Sequence, residues 1–285
     1  GANIGTTITN TLVSLGHIRS KEEFRRAFSA ATVHDFFNLL GVVIFLPLEM
    51  AFGLLEKASL FLANLIYGGE SLSISGFNFL KPITKPVISM LKDVFGHLPE
   101  PFGGVVLVGL GILLIFAAIT ILGKLLRQVM VGRAKHVLHT AIGRGPVTGI
   151  ASGTAVTVLV QSSSTTTSLV VPLAGTGIFS IRDIYPFTLG ANIGTCITSL
   201  LAATAISGPS AIFALQIALV HLIYNVAGVL VIYGIKFLRE LPIKGAETLA
   251  TVATERKSLA VAYVLGVFFV LPGVLIGVTS LTSSV

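Results

Sequence analysis

The sequence predicts an all-α polytopic membrane protein. Of its 285 residues, 53% are hydrophobic and only 11% are charged, whereas soluble domains carry about 25% charged residues. Residues 101–123 and 258–285 contain no Asp, Glu, Lys or Arg, and each run is long enough to cross about 30 Å of hydrocarbon as a helix. A membrane β-barrel would instead show alternating segments of about ten residues. These observations together favour helices.

Two further uncharged runs, residues 146–181 and 184–235, are too long for one crossing and must fold back. The centre of the first run reads QSSSTTTS at residues 161–168, a glutamine followed by seven hydroxyl side chains. Broken backbone at membrane depth is tolerated where it faces protein or a watery cavity. We therefore expect a re-entrant hairpin over residues 146–177, with two short helices and a break around residues 161–164.

The placement of the net charge of +7 predicts the topology. Basic residues cluster at 19–26, 124–144 and 236–257, and the positive-inside rule assigns such loops to the cytoplasm. We assign residues 56–100, whose charges are mixed, to the outside. Residues 124–145 are expected to form an amphipathic cytoplasmic linker on the membrane surface. Short basic clusters beside apolar spans are topology signals more often than nucleic-acid sites, so no nucleic-acid partner is expected.

The chain contains an internal duplication. GANIGTTITNTL at residues 1–12 recurs as GANIGTCITSLL at 190–201, with nine of twelve positions identical. ATVHDFFNLLGVV at 31–43 recurs as ALVHLIYNVAGVL at 218–230. Loop charge predicts that the matching helices cross the membrane in opposite directions. Such an inverted repeat is typical of secondary transporters, whose interrupted helices meet near the bilayer midplane.

The duplication also sets the expected domains. The first repeat covers residues 1–123, and the second covers 146–285 and ends in a transmembrane helix. QSSS lies 29 residues before the second GANIGT, so its first-half counterpart is expected to precede Gly1. We therefore expect the sequence to begin partway through the first repeat.

The hydroxyl run suits an ion site. Hydroxyl and carbonyl oxygens are ligands for a hard cation such as Na⁺, and helix N-termini with hydroxyl donors can hold an oxyanion. The alternative is that these hydroxyls only join helices, as small residues do at membrane interfaces. In GANIGT, the GxxxG spacing (Gly1 and Gly5, Gly190 and Gly194) indicates helix packing. The asparagines between these glycines, Asn3 and Asn192, indicate a lining role as well.

Asp35 is the only Asp, Glu, Lys or Arg between positions 27 and 48. An intramembrane carboxylate is a functional candidate because leaving it unpaired is costly, so we expect it to bind a monovalent cation. Alternatively, a neighbouring histidine or hydroxyl satisfies it. His34 and His221 are expected to be buried and hydrogen-bonded to another helix rather than to relay protons. His136 and His139 lack further ligands nearby, and no transition-metal site is expected.

QSSSTTTS, the doubled GANIGT, EFRRAFSAATVHDFFN at 23–38 and LPLE at 46–49 resemble the type II sodium-dependent phosphate cotransporter family. The resemblance implies symport of inorganic phosphate with Na⁺ by alternating access across the plasma membrane, with Na⁺ as coupling ion and no other cofactor. It also implies that Asp35 serves an additional sodium site and that transport is electrogenic. The partners are then phosphate, Na⁺ and the lipid bilayer, with a homodimer left open. The short, cysteine-free segment between the halves suggests a bacterial member, located in the inner membrane.

Together these considerations give two expected ligand sets. The phosphate set is Gln161, Ser162, Ser163, Ser164, Asn3 and Asn192. The sodium set is Ser162, Ser163, Thr165, Thr166, Asp35, Thr6 and Thr195.

Two rival functions remain. One is an intramembrane serine hydrolase, with Ser162, Ser163 or Ser164 as nucleophile and His34 or His221 as base. No GxSxG motif surrounds these serines, and a nucleophile does not need seven hydroxyls in a row, so we do not expect an enzyme. The other rival is a sodium-coupled symporter of a different small anion. A channel suits the duplicated broken-helix plan less well.

Overall fold

The computed structural model describes residues 2–68, 80–95, 102–111, 113–114, 142, 144–204, 206, 210–274 and 277. All regular elements in these ranges are helices, which confirms the predicted all-α class. They are α1 Ala2–Ser14, α2 Lys21–Phe52, α3 Leu54–Gly68, α4 Leu80–Phe95, α5 Phe102–Gly111, α6 Pro146–Val160, α7 Ser163–Gly175, α8 Ile181–Ala203, α9 Ala211–Gly228, α10 Lys236–Glu255 and α11 Lys257–Leu265.

Four helical segments are long and apolar enough, by length and composition, to cross a membrane. Both long uncharged runs fold back as predicted: residues 184–235 contribute to α8 and α9, and residues 146–181 form α6 and α7 and the beginning of α8. The protein is therefore a membrane protein. The four segments are α2, α8, Ala211–Tyr233 (α9 and its continuation) and Lys257–Val274 (α11 and its continuation).

The chain forms two compact units. The first comprises residues 1–57, 139–198 and 220–285, and the second comprises residues 58–138 and 199–219. Within the second unit, Ala63 of α3 packs with Leu215 and Leu219 of α9 in a small apolar core. The predicted linker 124–145 lies outside the described residues, apart from Ile142, Arg144 and Gly145. So do His136 and His139 and parts of the predicted outer segment.

The expectation that residues 236–257 form a basic loop is wrong. Most of this segment is helix α10, which packs along α2 in the first unit. The buried side chains of α10 recur every three or four residues, as on one face of a helix. This stripe explains why the segment folds as a helix despite its charges. It consists of Pro242, Ile243, Ala246, Ala250 and Ala253.

The basic cluster at 19–26 is not wholly a loop either, because α2 begins within it at Lys21. Ser20 caps this helix: its hydroxyl accepts a hydrogen bond from the backbone N–H of Glu23 at 3.4 Å. Such a cap satisfies one of the free N–H groups of the first turn. Glu22 and Glu23 also complement the positive end of the helix.

Glycines bring α6 and α8 into close contact within the first unit. A Cβ added at Gly190 would lie 2.0 Å from the carbonyl oxygen of Ile150, and one at Gly153 would lie 2.0 Å from that of Phe187. The packing role predicted for the second GANIGT is therefore confirmed. In the first GANIGT, a Cβ at Gly5 would meet no described atom within 4 Å, so the packing prediction is wrong at that position.

An ion pair joins the beginning of α8 to α10. The two terminal nitrogens of Arg182 donate to the two carboxylate oxygens of Glu240 at 2.6 and 2.7 Å. These hydrogen bonds lower the pKa of Glu240 below its usual value. A carboxyl with a lowered pKa in the folded state stabilises the fold above its unfolded pKa, and this contribution disappears as the pH falls through the lowered value.

We therefore expect Glu240→Gln to lower the thermal unfolding temperature by about 1–2 °C near pH 7, since exposed ion pairs contribute little. The difference from the wild type should narrow as the pH falls below about 4. The check is the unfolding temperature of detergent-solubilised protein measured across this pH range. Glu255→Gln is a matched control, because Glu255 is exposed on the same helix and forms no ion pair with a described residue. A difference that persists unchanged into acid would contradict the prediction.

Candidate functional site

The break in the hydroxyl-rich run is centred on Gln161. Its φ of 58° is left-handed, and its backbone N–H closes α6 by donating to the carbonyl of Thr157 at 2.7 Å. The side-chain amide donates to the carbonyl of Val158 at 2.6 Å. Because the last carbonyls of a helix lack intrahelical partners, Gln161 stabilises the end of α6. The predicted break between two short helices is confirmed.

Ser162 begins the second helix of the pair. It is extended, and its hydroxyl accepts a hydrogen bond from the backbone N–H of Thr165 at 3.2 Å, as an N-cap does. The N–H groups of Ser163 and Ser164 lie in the first turn of α7, where no intrahelical acceptor exists. The partial positive charge of these groups favours an anion.

The hydroxyls of this run fall into two classes. Those of Ser164, Thr166, Thr167 and Ser168 donate their hydrogen to oxygens of the protein. Such a hydroxyl can still accept, so it suits a cation. The hydroxyls of Ser162, Ser163 and Thr165 donate to no oxygen of the described residues, so their hydrogens remain available to a hydrogen-bond acceptor. Thr6 and Thr195 belong to the first class, because they donate to the carbonyls of Asn3 and Ala191 respectively.

Helix α7 lies along α1, so the first GANIGT motif adjoins the hydroxyl run. Ser164 donates to the carbonyl of Thr6 at 3.0 Å. Three residues further, Thr167 donates to the side-chain oxygen of Asn10 at 2.9 Å. Thr167 and Asn10 are both buried. The structure therefore brings Thr6 together with the 161–168 segment, as expected for shared site residues.

The two copies of the repeat exchange hydrogen bonds at the centre of the first unit. His221 Nε2 lies 2.8 Å from Asn3 Oδ1, and Asn3 Nδ2 donates to Asn225 Oδ1 at 2.7 Å. This series of hydrogen bonds ends within α9, because Asn225 Nδ2 donates to the carbonyl of His221 at 2.9 Å. Since the Asn3 amide nitrogen faces Asn225, its oxygen faces the histidine. The Nε2 of His221 therefore carries the hydrogen.

The counterpart residues form the same arrangement with the copies exchanged. His34 Nε2 lies 2.8 Å from Asn192 Oδ1, and Asn192 Nδ2 donates to Asn38 Oδ1 at 3.1 Å. This second series of hydrogen bonds ends differently, since Asn38 Nδ2 donates to the backbone carbonyl of Asn3 at 3.3 Å. The two networks are thereby joined. We name these six side chains the crossed amide network: Asn3, His34, Asn38, Asn192, His221 and Asn225.

The crossed amide network confirms that both histidines are hydrogen-bonded to another helix. The side-chain amide of each asparagine in a GANIGT motif pairs with the histidine and the asparagine of the other copy. The side-chain oxygen and the side-chain nitrogen of both Asn3 and Asn192 form hydrogen bonds within the protein. The structure thus gives these two residues a positioning role, and their role as phosphate ligands stays a prediction.

Asp35 is fully buried between other elements of the first unit. Its Oδ2 accepts a hydrogen bond from the hydroxyl of Tyr263 at 2.8 Å, and Oδ1 has no hydrogen-bond partner among the described residues. Thr7 of α1 lies beside the same carboxyl group. Asp35 is therefore satisfied in part by a hydroxyl, but from a residue that the sequence did not single out. The neighbouring His34 is bonded elsewhere.

Sequence reasoning missed several residues that hold this centre together. Asn38 and Asn225 recur at equivalent positions of the repeat, and that recurrence is the signal that could have found them. No comparable signal exists for Asn10 or Tyr263. Gln161 and Thr195 were also expected in the site, and the side chain of each donates a hydrogen bond to a backbone carbonyl of its own helix.

The sequence is similar to those of known transport proteins. Residues 106–244 match the family model described as Na⁺/Pi-cotransporter. The chain is 31% identical to human sodium-dependent phosphate transport protein 2B over 363 residues, covering 98% of the chain and 52% of the relative. The rat 2A and 2C proteins are also 31% identical over 344 and 347 residues, covering 98% and 95% of the chain and 54% and 57% of the relatives.

The chain spans about half the length of the curated relatives that it matches. No solved structure matches it. The similarity nevertheless covers almost the whole of the sequence, and the family model overlaps the broken helix pair and the second GANIGT. The chain is therefore similar, along almost its whole length, to proteins of the Na⁺/Pi-cotransporter type.

Proposed function

We propose that this protein takes part in sodium-coupled symport of inorganic phosphate across the plasma membrane. In this proposal it is a multi-pass protein whose two repeats are inverted and alternate access to a central site. Na⁺ is the coupling ion, and no further cofactor takes part. The relatives' names supply the transported ions, and the local chemistry of the broken helix pair supports the same choice.

The observation that carries the proposal is the chemistry at the break. An extended cap, two N–H groups in the first turn of α7 and three hydroxyls with undonated hydrogens are gathered within residues 162–165. Phosphate oxygens accept hydrogen bonds, and a charged acceptor makes these bonds stronger than neutral ones. The donor set therefore fits an oxyanion. Ser162, Ser163 and the first turn of α7 form the proposed phosphate site, and Thr165 joins it because its hydroxyl hydrogen is not used by the protein.

The sodium site is proposed from the complementary class of hydroxyls. Thr6, Thr166 and Thr195 donate their hydrogens to backbone carbonyls, so each would present its oxygen rather than a hydrogen to a ligand. The Ser164 hydroxyl also donates its hydrogen to a backbone carbonyl, so Ser164 suits the cation better than the phosphate. Asp35 adds a full negative charge. An additional Na⁺ bound at Asp35 would add one positive charge to each transport cycle. This extra charge is the basis for proposing electrogenic transport.

The crossed amide network supports the alternating part of the proposal. Transporters built from inverted repeats move one repeat against the other around a fixed site. Here the contacts between the copies run through neutral amides and imidazoles, and each copy supplies the same residue types. A homodimer is compatible with this arrangement. In this proposal the transport cycle requires only the protein, the lipid bilayer, phosphate and Na⁺.

No observation favours the serine hydrolase. Among the described hydrogen bonds, none joins Ser162, Ser163 or Ser164 to a histidine, and both histidine Nε2 atoms face asparagine. A nucleophilic serine needs a base within hydrogen-bond reach. The relatives' names describe transport proteins, and transport rather than catalysis is the proposal for this chain.

Ser163→Ala tests the phosphate site. Ser163 is buried, and its free hydroxyl hydrogen is proposed to donate to phosphate. Losing a hydrogen bond to a charged group costs about 1.5 kcal/mol or more, so we expect the phosphate KM to rise about tenfold. The half-saturating Na⁺ concentration should shift less. The measurement is the initial rate of radiolabelled phosphate uptake into proteoliposomes that hold the full-length protein and a sodium gradient.

Ser168→Ala is the matched control, because the Ser168 hydroxyl is on the same helix and donates back to the carbonyl of Thr165. Its phosphate KM should stay within about twofold of the wild type. Phosphate uptake at the same rate with and without a sodium gradient would contradict sodium coupling. Equal effects of Ser163→Ala and Ser168→Ala on the phosphate KM would contradict the assignment of Ser163 to the phosphate site.

A further inference from the structure

Asp35 is a buried acid without a compensating positive charge. It is 0% exposed, and no basic side chain of the described residues forms an ion pair with it. A carboxylate in such surroundings costs several kcal/mol unless a cation or several donors compensate it. Tyr263 donates a hydrogen bond to Asp35, and the Thr7 hydroxyl lies beside the same carboxyl group. Both hydroxyls are neutral, so they leave most of the charge of a carboxylate uncompensated.

Tyr263 is held so that it can serve only one of the two carboxylate oxygens. It lies on α11 and donates to Asp35 Oδ2 at 2.8 Å across 228 residues of sequence. Its ring contacts Phe28 of α2 edge-on, with the centroids 6.3 Å apart, and it contacts Phe268 in the same way at the same distance. Aromatic rings packed edge-to-face on both sides have little freedom. The hydroxyl therefore fixes the orientation of the carboxylate.

The other carboxylate oxygen, Oδ1, is buried without a hydrogen-bond partner among the described residues. Thr7 lies beside the carboxyl group, but its single hydroxyl hydrogen is donated to the carbonyl of Ile4 at 2.8 Å. Thr11 follows one turn later on the same face of α1, and its hydroxyl oxygen is also buried and unpartnered within the described part of the chain. Asp35 Oδ1 and the two threonine oxygens carry lone pairs, and a hydroxyl oxygen can face a cation while its hydrogen points away.

We propose that Tyr263 is a positioning residue for a monovalent cation bound by Asp35 and the α1 threonines. Its hydroxyl holds Oδ2, so that Oδ1 stays available to the cation together with Thr7 and Thr11. Oxygen ligands of this kind suit a hard cation, of which Na⁺ is the relevant one. This inference rests on the proposed function for the identity of the ion. It adds three residues, Thr7, Thr11 and Tyr263, to those expected from the sequence.

Tyr263→Phe tests the proposal because it removes one oxygen and keeps the ring. With the full-length protein in proteoliposomes, we expect the half-saturating Na⁺ concentration for phosphate uptake to rise about 3- to 10-fold. The maximal rate and the phosphate KM at saturating Na⁺ should remain within about twofold of the wild type. A purely structural defect would lower the maximal rate and leave the sodium dependence unchanged. Equal half-saturation in variant and wild type, or a lower value in the variant, would overturn the inference.

Tyr185→Phe is the matched control. Tyr185 is also a buried tyrosine in an apolar core, but its hydroxyl has no hydrogen-bond partner among the described residues. Its sodium dependence should equal that of the wild type. Asp35→Asn should weaken the response to sodium at least as much as Tyr263→Phe does. The double variant should be no weaker than Asp35→Asn alone, and additive effects would show that Tyr263 does not act through Asp35.

Binding of ²²Na⁺ to the purified protein without phosphate separates this inference from the proposed function. If sodium-driven phosphate uptake is absent from the wild type, the symport proposal fails. The Tyr263 inference then still stands if wild-type protein binds ²²Na⁺ and Tyr263→Phe binds it about 3- to 10-fold more weakly. Absence of sodium binding by the wild type, or equal binding by both proteins, would overturn it.

Discussion

Gly190→Ala is expected to lower the free energy of unfolding by about 3 kcal/mol or more, because the new methyl group would lie 2.0 Å from a backbone carbonyl of α6. The neighbouring atom is main chain and cannot rotate away, so α6 and α8 must separate. Helix α6 leads directly into the break at Gln161, and the site geometry would change with it. The measurement is thermal or denaturant unfolding in detergent, together with the yield of monodisperse protein.

Gly5→Ala is the control, since Gly5 occupies the last glycine position of the GxxxG pattern in the other copy, where no described atom lies within 4 Å of an added Cβ. Alanine favours helix more than glycine by about 1 kcal/mol. The variant should therefore be as stable as the wild type or slightly more stable. Similar losses at both positions would show that general helix effects, rather than close packing of α6 on α8, explain the result at Gly190.

Asn192→Ala has the second largest expected effect. It leaves His34 Nε2 and Asn38 Oδ1 buried without their partners, and each unsatisfied group costs about 1–3 kcal/mol. We expect a loss of about 2–5 kcal/mol in unfolding free energy and uptake lowered by at least about tenfold. Asn64→Ala, at an exposed position of α3, is the control and should change neither quantity. Full activity and stability of Asn192→Ala would contradict the network's role.

A double-mutant cycle tells whether the loss comes from the contact itself. Alanine at both His34 and Asn192 should cost less than the sum of the two single changes, by about 0.5–3 kcal/mol, because each single change already removes the shared hydrogen bond. His34 and His221 share no described hydrogen bond. The cycle between these two histidines should show a smaller coupling energy. Equal couplings in both cycles would indicate a general loss of structure.

The sequence predicted the fold class, the fold-back of the two long apolar runs and the break near Gln161. These features depend on local composition. An uncharged run longer than one membrane crossing must turn, and polar hydroxyls within it mark where backbone groups need partners. The duplication was equally visible, since two motifs recur in the same order. That the copies exchange partners was not visible, because repeat identity says nothing about which copy each residue contacts.

Other features depend on distant contacts and could not be predicted. The basic residues of α10 suggested a loop, but its alanines at four- and three-residue intervals pack against α2 and determine the helix. Tyr263 lies in an apolar helix without any motif, and only the fold brings its hydroxyl to Asp35. The glycine pattern predicted packing at both copies of GANIGT, yet a neighbouring backbone is present only at the second.

The crossed amide network also constrains how this chain can be made. Asn3 and His34 leave the ribosome long before their partners, which follow 218 and 158 residues later. At the cytosolic elongation rate of about 5–20 residues per second, the wait lasts roughly 10–40 seconds. Through that interval the helices of the first half hold side-chain amides and an imidazole whose final partners have not yet been made. Until the second half has been translated, lipid headgroups, water or an insertase must supply hydrogen-bond partners for these groups.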